Sequence, residues 1–218
     1  MQYLLSQYNY DLTDPESIPN LFIQHLWLVG LTMLISLAIA IPLGLLAARY
    51  KSIYGPLIAL ADVLYTIPSI AMVAFLIAFT GLDLPTILIP LVLYTQLVLI
   101  RNIVAGVNNV DPLLIEVGKG MGMNRFQIFL RVRLPLALPT IIAGIRIATV
   151  TTIGIASLAS LVAQGGLGDL IFKNIANGQL DAVVAGAILL AGLAVLVDLL
   201  LLGLQVALNR GRGALSVS

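Results

Sequence analysis

Residues 116–135 read EVGKGMGMNRFQIFLRVRLP, a polar, glycine-punctuated and basic stretch inside an otherwise apolar chain. Its cations are Lys119, Arg125, Arg131 and Arg133. Long apolar runs lie on both sides of it, and Lys and Arg between membrane spans are retained on the cytoplasmic face. The stretch therefore predicts a cytoplasmic loop, and the topology of the rest of the chain follows from it.

The composition indicates an integral membrane protein. Of the 218 residues, 60% are hydrophobic and 10% are charged, whereas a soluble domain carries about 25% charged residues. The absence of cysteine excludes disulfides and thiolate metal sites, and one histidine without an H-E-x-x-H motif argues against a zinc site. The net charge of +1 gives no sign of a nucleic-acid partner. We expect an all-α membrane protein without a metal site.

Five apolar stretches are long enough to cross a bilayer core of about 30 Å. They lie at residues 22–48, 57–80, 86–107, 136–162 and 182–208. The acidic first twenty residues lack the basic start of a cleavable signal peptide, so we expect the first stretch to be retained.

The cations follow the first, third and fifth stretches, which is one side of a five-span path. They are Arg49, Lys51, the run from Arg101 to Arg133, Arg210 and Arg212. The positive-inside rule then places the N-terminus outside and the C-terminus in the cytoplasm. We predict an extracytoplasmic segment at residues 1–21, one transmembrane domain at 22–208 with a cytoplasmic loop at 108–135, and a tail at 209–218.

The cytoplasmic loop carries the signals of two short helices. Asp111 followed by Pro112 is a favourable helix start. Gly122 can take the left-handed conformation that ends a helix, and Asn124 with Gln127 resembles a capping box for a second one. The loop is predicted to be a helix, a glycine turn and a helix. Such loops also serve only to fix topology, so the pattern alone does not show that it docks a partner.

The spacing of Glu116, Gly122, Val132, Leu134 and Pro135 resembles the EAA signature, E-A-A-x3-G-x9-I-x-L-P, of permease subunits of ATP-binding-cassette importers. The resemblance implies a type I importer permease fold whose coupling helices sit in a groove of a separate ATPase. The residues assigned to ATPase coupling on this basis are Glu116, Val117, Gly118, Gly122, Asn124, Arg125, Leu134 and Pro135. The chain departs from the signature at residues 117 and 118, where two alanines are usual, and this loosens the first helix.

Most of the chain resembles the branch of these permeases that takes up glycine betaine, carnitine and choline. The matching segments are IPLGLLAARYKS, VLYTIPSIAM, LIRNIVAGVNNVDP, LPLALPTIIAGIRIAT and GGLGDLI, between residues 41 and 172. Methionine permeases share five spans and the GGLG segment and remain the alternative. Departures at Ile103, Ala163 and Gln164 leave the solute open.

The resemblance also implies a bacterial inner-membrane location and a set of partners. These are a second permease subunit, identical or paralogous, two ATPase subunits and an external substrate-binding protein. The chain itself lacks a G-x4-G-K-[ST] phosphate loop, since Gly120 follows Lys119. We therefore expect ATP and Mg to bind to the ATPase, and no cofactor to bind to this chain.

Polar side chains within apolar spans are the candidates for a translocation pathway, because each is costly unless it pairs or faces water. The candidates are Tyr65, Ser69, Tyr94, Gln96, Thr151 and Thr152. Aromatic rings suit a quaternary ammonium, which is held by cation-π attraction. The ordinary alternative is that the hydroxyls bond only to helix backbone or to neighbouring helices.

Two charged residues, Arg146 and Asp198, each lie about 16 Å from the cytoplasmic end of their spans by helical rise. We predict that they form an intramembrane ion pair that joins the fourth and fifth spans.

Asp62 has two open interpretations, a gate residue or an interfacial charge. His25 and Trp27 are predicted to anchor the outer membrane interface.

Residues 165–168, GGLG, are predicted to form a tight turn into a short helix at 169–175 rather than an anion cradle.

Two other function classes fit the sequence less well than an importer does. An intramembrane hydrolase lacks a G-x-S-x-G motif, and a passive channel or scaffold leaves the cytoplasmic loop unexplained.

Overall fold

The computed structural model describes residues 2–210, and the side chains of residues 3–207. The ten α-helices of this part of the chain are α1 (Gln2–Leu5), α2 (Ile18–Arg49), α3 (Lys51–Thr66), α4 (Ser69–Thr80), α5 (Leu84–Asn108), α6 (Pro112–Gly120), α7 (Arg125–Ile128), α8 (Leu134–Ala156), α9 (Gly168–Ala176) and α10 (Leu180–Arg210). Short 3-10 segments occupy Gln7–Tyr10 and Ser157–Val162, and a π-helical segment occupies Phe129–Arg133. The predicted tail at 209–218 lies outside the described side chains.

Four helical stretches are long and apolar enough to cross a membrane. They are Ile18–Arg49, Leu84–Asn108, Arg125–Val162 and Leu180–Ala207. The first three contain the first, third and fourth predicted spans, and the last covers the fifth up to Ala207. Helix α2 begins at Ile18, four residues before the first predicted span. Pro19 is tolerated there because the missing N–H of a proline costs nothing in the first turn of a helix.

The second predicted span, at 57–80, is not one straight helix. It consists of α3 and α4, which meet at an angle of 91°. Pro68 has no N–H to continue a helical ladder and disfavours helical geometry in the residue before it; Ile67 accordingly has extended backbone, with φ −70° and ψ 125°. The structure therefore contains four spans, or five if this bent pair counts as one.

Helix α5 lies at the centre of the bundle and packs against α2, α8 and α3. Its side chains Ile87, Leu91, Leu99 and Ile100 are at most 1% exposed. Small residues allow the helices to approach closely, as expected for packing in a membrane: a Cβ added to Gly106 would lie 2.9 Å from the carbonyl oxygen of Ala137 on α8. Helix α10 packs on α8 and α9 at the edge of this core.

The glycine run organises the end of the bundle at which α8 ends and α9 begins. Gly165 and Gly166 have φ of 70° and 86° and form a turn that leads into α9, so the predicted turn and helix are both present. The side chain of His25 is fully buried, with Nε2 3.0 Å from the carbonyl oxygen of Ile153. The interface-anchor prediction is thus wrong for His25, because its ring packs inward against Gly166. Trp27 is 57% exposed.

Candidate functional site

The loop at 108–135 begins with a capped helix. Asp111 Oδ1 accepts a hydrogen bond of 2.8 Å from the N–H of Leu113 at the start of α6, and Pro112 occupies the first turn. At the other end Gly122 has φ 78°. This conformation lets the N–H of Met123 donate to the carbonyl oxygen of Gly118 over 3.1 Å. At each end of α6, a backbone group that lacks a partner within the helix is therefore hydrogen-bonded by another residue of the loop.

A capping box starts the second helix of the loop. The N–H of Gln127 donates to Asn124 Oδ1 and the N–H of Asn124 donates to Gln127 Oε1, each over 2.9 Å. Helix α7 then continues through the π-helical segment into α8. Leu134 and Pro135 form the first turn of α8, so the chain stays helical through Pro135.

The loop presents apolar side chains to its surroundings. Leu113, Val117, Met121 and Phe126 are between 51% and 70% exposed in this chain, and Glu116 is exposed beside them. A cluster of large exposed apolar residues on a polar loop is typical of a protein contact surface. Gly118 faces inward, where a Cβ would meet Ile128 at an ordinary 3.5 Å, so the alanine that is usual there would also fit.

The face of the loop that points to the end of α2 is electropositive. A cavity of about 790 Å³ lies between the end of α2 and the loop. Its walls carry Arg49, Lys119, Arg125 and Arg133, and Nε of Arg133 is buried without a hydrogen-bond partner among the described residues. This concentration of cations fits a loop on the cytoplasmic side.

Four of the six pathway candidates lie together. Tyr94, Thr151 and Thr152 line one crevice between α5 and α8 that is too narrow for water. Tyr65 meets Tyr94 edge to face, with ring centroids 5.9 Å apart and planes at 83°. The hydroxyl of Tyr94 donates to the carbonyl oxygen of Ile67 over 2.6 Å at the break between α3 and α4.

The other two candidates are elsewhere. The Nε2 group of Gln96 donates to the carbonyl oxygens of Val92, over 3.2 Å, and of Ser36, over 3.4 Å, so its side chain points to α2. Ser69 begins α4, beyond the break.

The threonine hydroxyls of α8 are used within that helix. Thr151 and Thr152 donate to the carbonyl oxygens of Ile147 and Ala148 over 2.9 and 2.7 Å. Backbone hydrogen bonding, the ordinary alternative, therefore describes both threonines.

Arg146 and Asp198 lie in direct contact between α8 and α10. The guanidinium donates twice to the carboxylate, from Nε over 3.0 Å and from Nη2 over 2.9 Å. A third bond of 2.9 Å runs from Nη1 to Oε1 of Gln205, whose Nε2 donates to the carbonyl oxygen of Pro139. Gln205 was not predicted from the sequence, although a polar residue two turns beyond Asp198 on an apolar helix is a usable signal.

Asp62 is also paired. Nη2 of Arg101 on α5 donates to both carboxylate oxygens of Asp62 on α3, over 2.7 and 2.8 Å. The two side chains are 46% and 48% exposed. The sequence analysis treated Arg101 only as a charge that marks the cytoplasmic side, because nothing in the pattern joins residues on different helices.

A third charged cluster lies outside the spans. Nζ of Lys173 on α9 is 2.6 Å from Oδ2 of Asp169 and 3.0 Å from Oε1 of Glu16. The hydrogen bond that Lys173 donates to Asp169 raises the pKa of Lys173 above its ordinary value, and the bond that it donates to Glu16 adds to this effect. The cluster fastens the N-terminal segment to α9. Among the described residues, no group of three or more His, Cys, Asp or Glu is placed to hold a metal ion.

Comparison with known proteins gives a consistent result. Residues 40–212 match the family described as the binding-protein-dependent transport system inner membrane component. The chain is 38% identical over 211 residues to the carnitine transport permease protein OpuCD of Listeria monocytogenes, covering 96% of this chain and 94% of that protein. It is 40% identical over 190 residues to the glycine betaine/carnitine/choline transport system permease protein OpuCD of Bacillus subtilis, with coverage of 86% and 82%.

A third relative is the osmoprotectant import permease protein OsmW of Salmonella typhimurium, 36% identical over 206 residues, with coverage of 92% and 96%. Among solved structures, an inward-facing conformation of the MetNI methionine ABC transporter matches with a TM-score of 0.72, covering 85% of this chain and 93% of that one. The identity to that structure is 22%, so this likeness concerns the fold alone.

Proposed function

Because the chain belongs to the family of inner membrane components of binding-protein-dependent transport systems, we propose that it passes a quaternary-amine osmoprotectant, such as glycine betaine, carnitine or choline, from a binding protein into the cytoplasm. The chain is a multi-pass protein of the bacterial inner membrane and a transport subunit rather than an enzyme. The observation that carries the solute class is the set of relatives named for these amines, matched over most of their length.

The alternative solute, methionine, rests on a likeness of fold at low sequence identity. No side chain among the pathway candidates favours a thioether over a quaternary ammonium. The exposed ring of Tyr65 and the carboxylate of Asp62, three residues earlier on α3, suit a cation instead. We therefore keep the quaternary amines as the proposed solutes.

The assembly that we propose contains two permease subunits, identical or paralogous, two ATPases that bind ATP and Mg, and an external binding protein. Residues 22–208 form its transmembrane domain, with α3 and α4 together as the second of five spans. The N-terminus then lies outside and the loop at 108–135 lies in the cytoplasm, in agreement with the electropositive cavity behind the loop.

Coupling to the ATPase is assigned to the exposed side of the loop. Glu116, Val117, Asn124 and Arg125 are exposed on α6 and around the start of α7, where a partner's groove can cover them. Gly118 and Gly122 shape the turn behind them, and Leu134 and Pro135 join the loop to α8. A helix with two glycines is weak by itself, so contact with the ATPase is expected to stabilise it.

The pathway is assigned to the region where α3, α5 and α8 meet, around Tyr65, Tyr94 and Thr151. Tyr94 is 4% exposed and holds Tyr65 edge-on, whereas Tyr65 is 43% exposed. Tyr65 is therefore the ring available to a passing cation. Gln96, whose side chain points to α2, and Ser69, which lies beyond the break between α3 and α4, are not retained in this set.

Uptake measurements test the proposed function. The chain is expressed with its cognate ATPase and binding protein in a bacterial strain that lacks its own importers, and radiolabelled glycine betaine, carnitine, choline and methionine are supplied separately. We expect ATP-dependent uptake of at least one quaternary amine and no uptake of methionine. Uptake of methionine alone would contradict the proposal.

A further inference from the structure

We propose that the ion pair between Asp62 and Arg101, together with the ring of Tyr65, is a binding station in the translocation pathway that receives a zwitterionic quaternary amine. This inference rests on the proposed function and extends it. It names the residues that contact the solute. It also predicts that solutes with a carboxylate group, such as glycine betaine and carnitine, are distinguished from choline at this station.

The station consists of two successive contacts between the same two helices. Asp62 and Tyr65 are three residues apart on α3, and Tyr94 and Arg101 are seven apart on α5, so each pair shares one helix face. The lower contact is the ion pair, at 2.7 Å, and the upper one is the aromatic pair, with centroids 5.9 Å apart. By helical rise the backbone positions of Asp62 and Tyr65 are separated by about 5 Å along α3.

The exposure of these groups shows which kind of surface they form. The side chains of Asp62 and Arg101 are 46% and 48% exposed, whereas that of Arg146 in the other intramembrane pair is 19% exposed. By helical rise, Asp62 lies about 16 Å from the start of α3 and Arg101 about 10 Å from the end of α5, so both lie within the spans. Ionised groups at such depth face protein or water rather than lipid. An open face of charge and ring fits a water-filled path.

The chemistry of the station is complementary to a zwitterion. A quaternary ammonium has no N–H to donate and is held by a ring face and a nearby anion, which Tyr65 and Asp62 supply. The solute carboxylate is matched by the guanidinium of Arg101, which binds carboxylates with charge-assisted hydrogen bonds. In the bound state the ammonium group of the solute takes the place of Arg101 beside Asp62. The carboxylate of the solute takes the place of Asp62 beside Arg101.

The empty station avoids unpaired charge. Without solute, Asp62 and Arg101 neutralise each other, so the path holds no isolated ion inside the membrane. Tyr94 acts as a positioning residue, because its hydroxyl is bound to the carbonyl oxygen of Ile67 and its ring fixes that of Tyr65. Choline carries no carboxylate, so it uses only the half of the station formed by Asp62 and Tyr65.

The test compares two solutes in the same variant. The whole complex, with ATPase and binding protein, is reconstituted in proteoliposomes, and uptake of radiolabelled glycine betaine and choline is measured. Arg101→Gln is expected to reduce betaine uptake about tenfold relative to choline uptake, since one charge-assisted contact is lost for betaine only. Asp62→Asn is expected to reduce both. Lys51→Gln, which removes an exposed cation at the start of α3, is the matched control and should leave the ratio unchanged.

The outcomes separate this inference from the proposed function. If the unaltered complex imports neither amine, the proposed function fails, whatever the variants do. If the unaltered complex imports both, and Arg101→Gln lowers the two equally or neither, the pair is only a structural contact and the inference is overturned.

A labelling experiment tests the inference in a second way, in case the Arg101 and Asp62 variants fail to assemble. The sequence contains no cysteine, so Tyr65→Cys and Val63→Cys each introduce one reactive group. A cationic, membrane-impermeant thiol reagent should modify Cys at 65 during ATP turnover, and glycine betaine delivered by the binding protein should slow the reaction. Val63 is 63% exposed but lies on the other side of α3, so it should stay unmodified. Equal labelling at both positions would contradict a water-filled path at Tyr65.

Discussion

The guanidinium of Arg146 holds the carboxylate of Asp198 with two hydrogen bonds, of 3.0 and 2.9 Å, and thereby joins α8 to α10. Helix α10 is otherwise apolar along most of its length and packs at the edge of the bundle. Van der Waals contact between apolar surfaces gives little directional information in a membrane. The ion pair therefore adds a directional contact to the packing of α10, together with the bond from Gln205 to Pro139.

Loss of one partner of this pair is expected to destabilise the protein. Arg146→Ala leaves the carboxylate of Asp198 without its cation and Gln205 without its donor, and we expect a loss of about 3 kcal/mol, toward the lower end for buried pairs because Asp198 is 37% exposed. The measurement is the thermal midpoint of the detergent-solubilised protein. Gln205→Ala removes the bond from Arg146 and the bond to Pro139 but leaves the ion pair intact, so it is the matched control and should cost less.

The double variant Arg146→Ala with Asp198→Ala completes the test. Removal of both charges should destabilise the protein by less than the sum of the two single changes, because neither ion is then left unpaired. Strict additivity would show that the two residues do not stabilise the fold through each other.

The glycine turn of the loop should be sensitive to one methyl group. Gly122 has φ 78°, which costs about 1–2 kcal/mol for a residue with a Cβ, so Gly122→Ala is expected to weaken both the turn and the docking of the ATPase. Gly120→Ala is the control, since it lies at the end of α6 with open space around it. Co-purification of the ATPase and stimulated ATP hydrolysis should fall for the first variant and be kept or raised for the second. Equal behaviour of the two variants would be evidence against this role of the turn.

The start of α9 should not tolerate a side chain. A Cβ on Gly168 would overlap the carbonyl oxygen of Ser157, and backbone atoms cannot move aside as a flexible side chain does. We expect Gly168→Ala to destabilise the protein by about 2 kcal/mol, in the range of overpacked sites. Gly192→Ala on α10 has no heavy atom within 4 Å and should leave the thermal midpoint unchanged or slightly raised. A stable Gly168→Ala protein would mean that the turn relaxes.

The cluster of Lys173 with Asp169 and Glu16 makes a prediction about pH. The folded protein raises the pKa of Lys173 above its ordinary 10.5, so the folded state favours the protonated amine. Its contribution to stability is therefore fully present below pH 10.5 and is lost as the pH rises through the folded pKa. The difference in thermal midpoint between the unaltered protein and Lys173→Met should be constant from about pH 8 to about pH 10 and shrink above that.

A matched loss of charge provides the control for this prediction. Lys51→Met removes an exposed cation on the other side of the membrane in the proposed topology. A gap between the unaltered protein and Lys173→Met that grows at high pH would contradict the expected direction of the pH dependence.

Local signals allowed much of the loop to be predicted. The cap at Asp111, the positive φ of Gly122 and the capping box of Asn124 all depend on residues within a few positions of one another, and each is present. The contact of Arg146 with Asp198 could be predicted from the depth of two charges in apolar spans, because an isolated ion there requires a partner.

Features that depend on packing between distant helices were missed. Pro68 is visible in the sequence as a residue within a span, but the angle of 91° depends on what α4 packs against. His25 was assigned to the interface by its position at the end of an apolar run, whereas its burial requires Gly166, which lies far along the chain. The pairing of Asp62 with Arg101 likewise depends on the relative rotation of α3 and α5.

The helical path from Arg125 to Val162 runs for 38 residues without an interruption, a length of about 57 Å at 1.5 Å per residue. On the other side of the loop, α5 and α6 are separated by Asn109, Val110 and Asp111, which are not helical. A displacement of α7 is therefore expected to be carried along α8 to the far end of the bundle, where α8 meets the segment Ser157–Val162. The same displacement reaches α5 through a joint that can bend, so the two neighbouring spans receive it unequally.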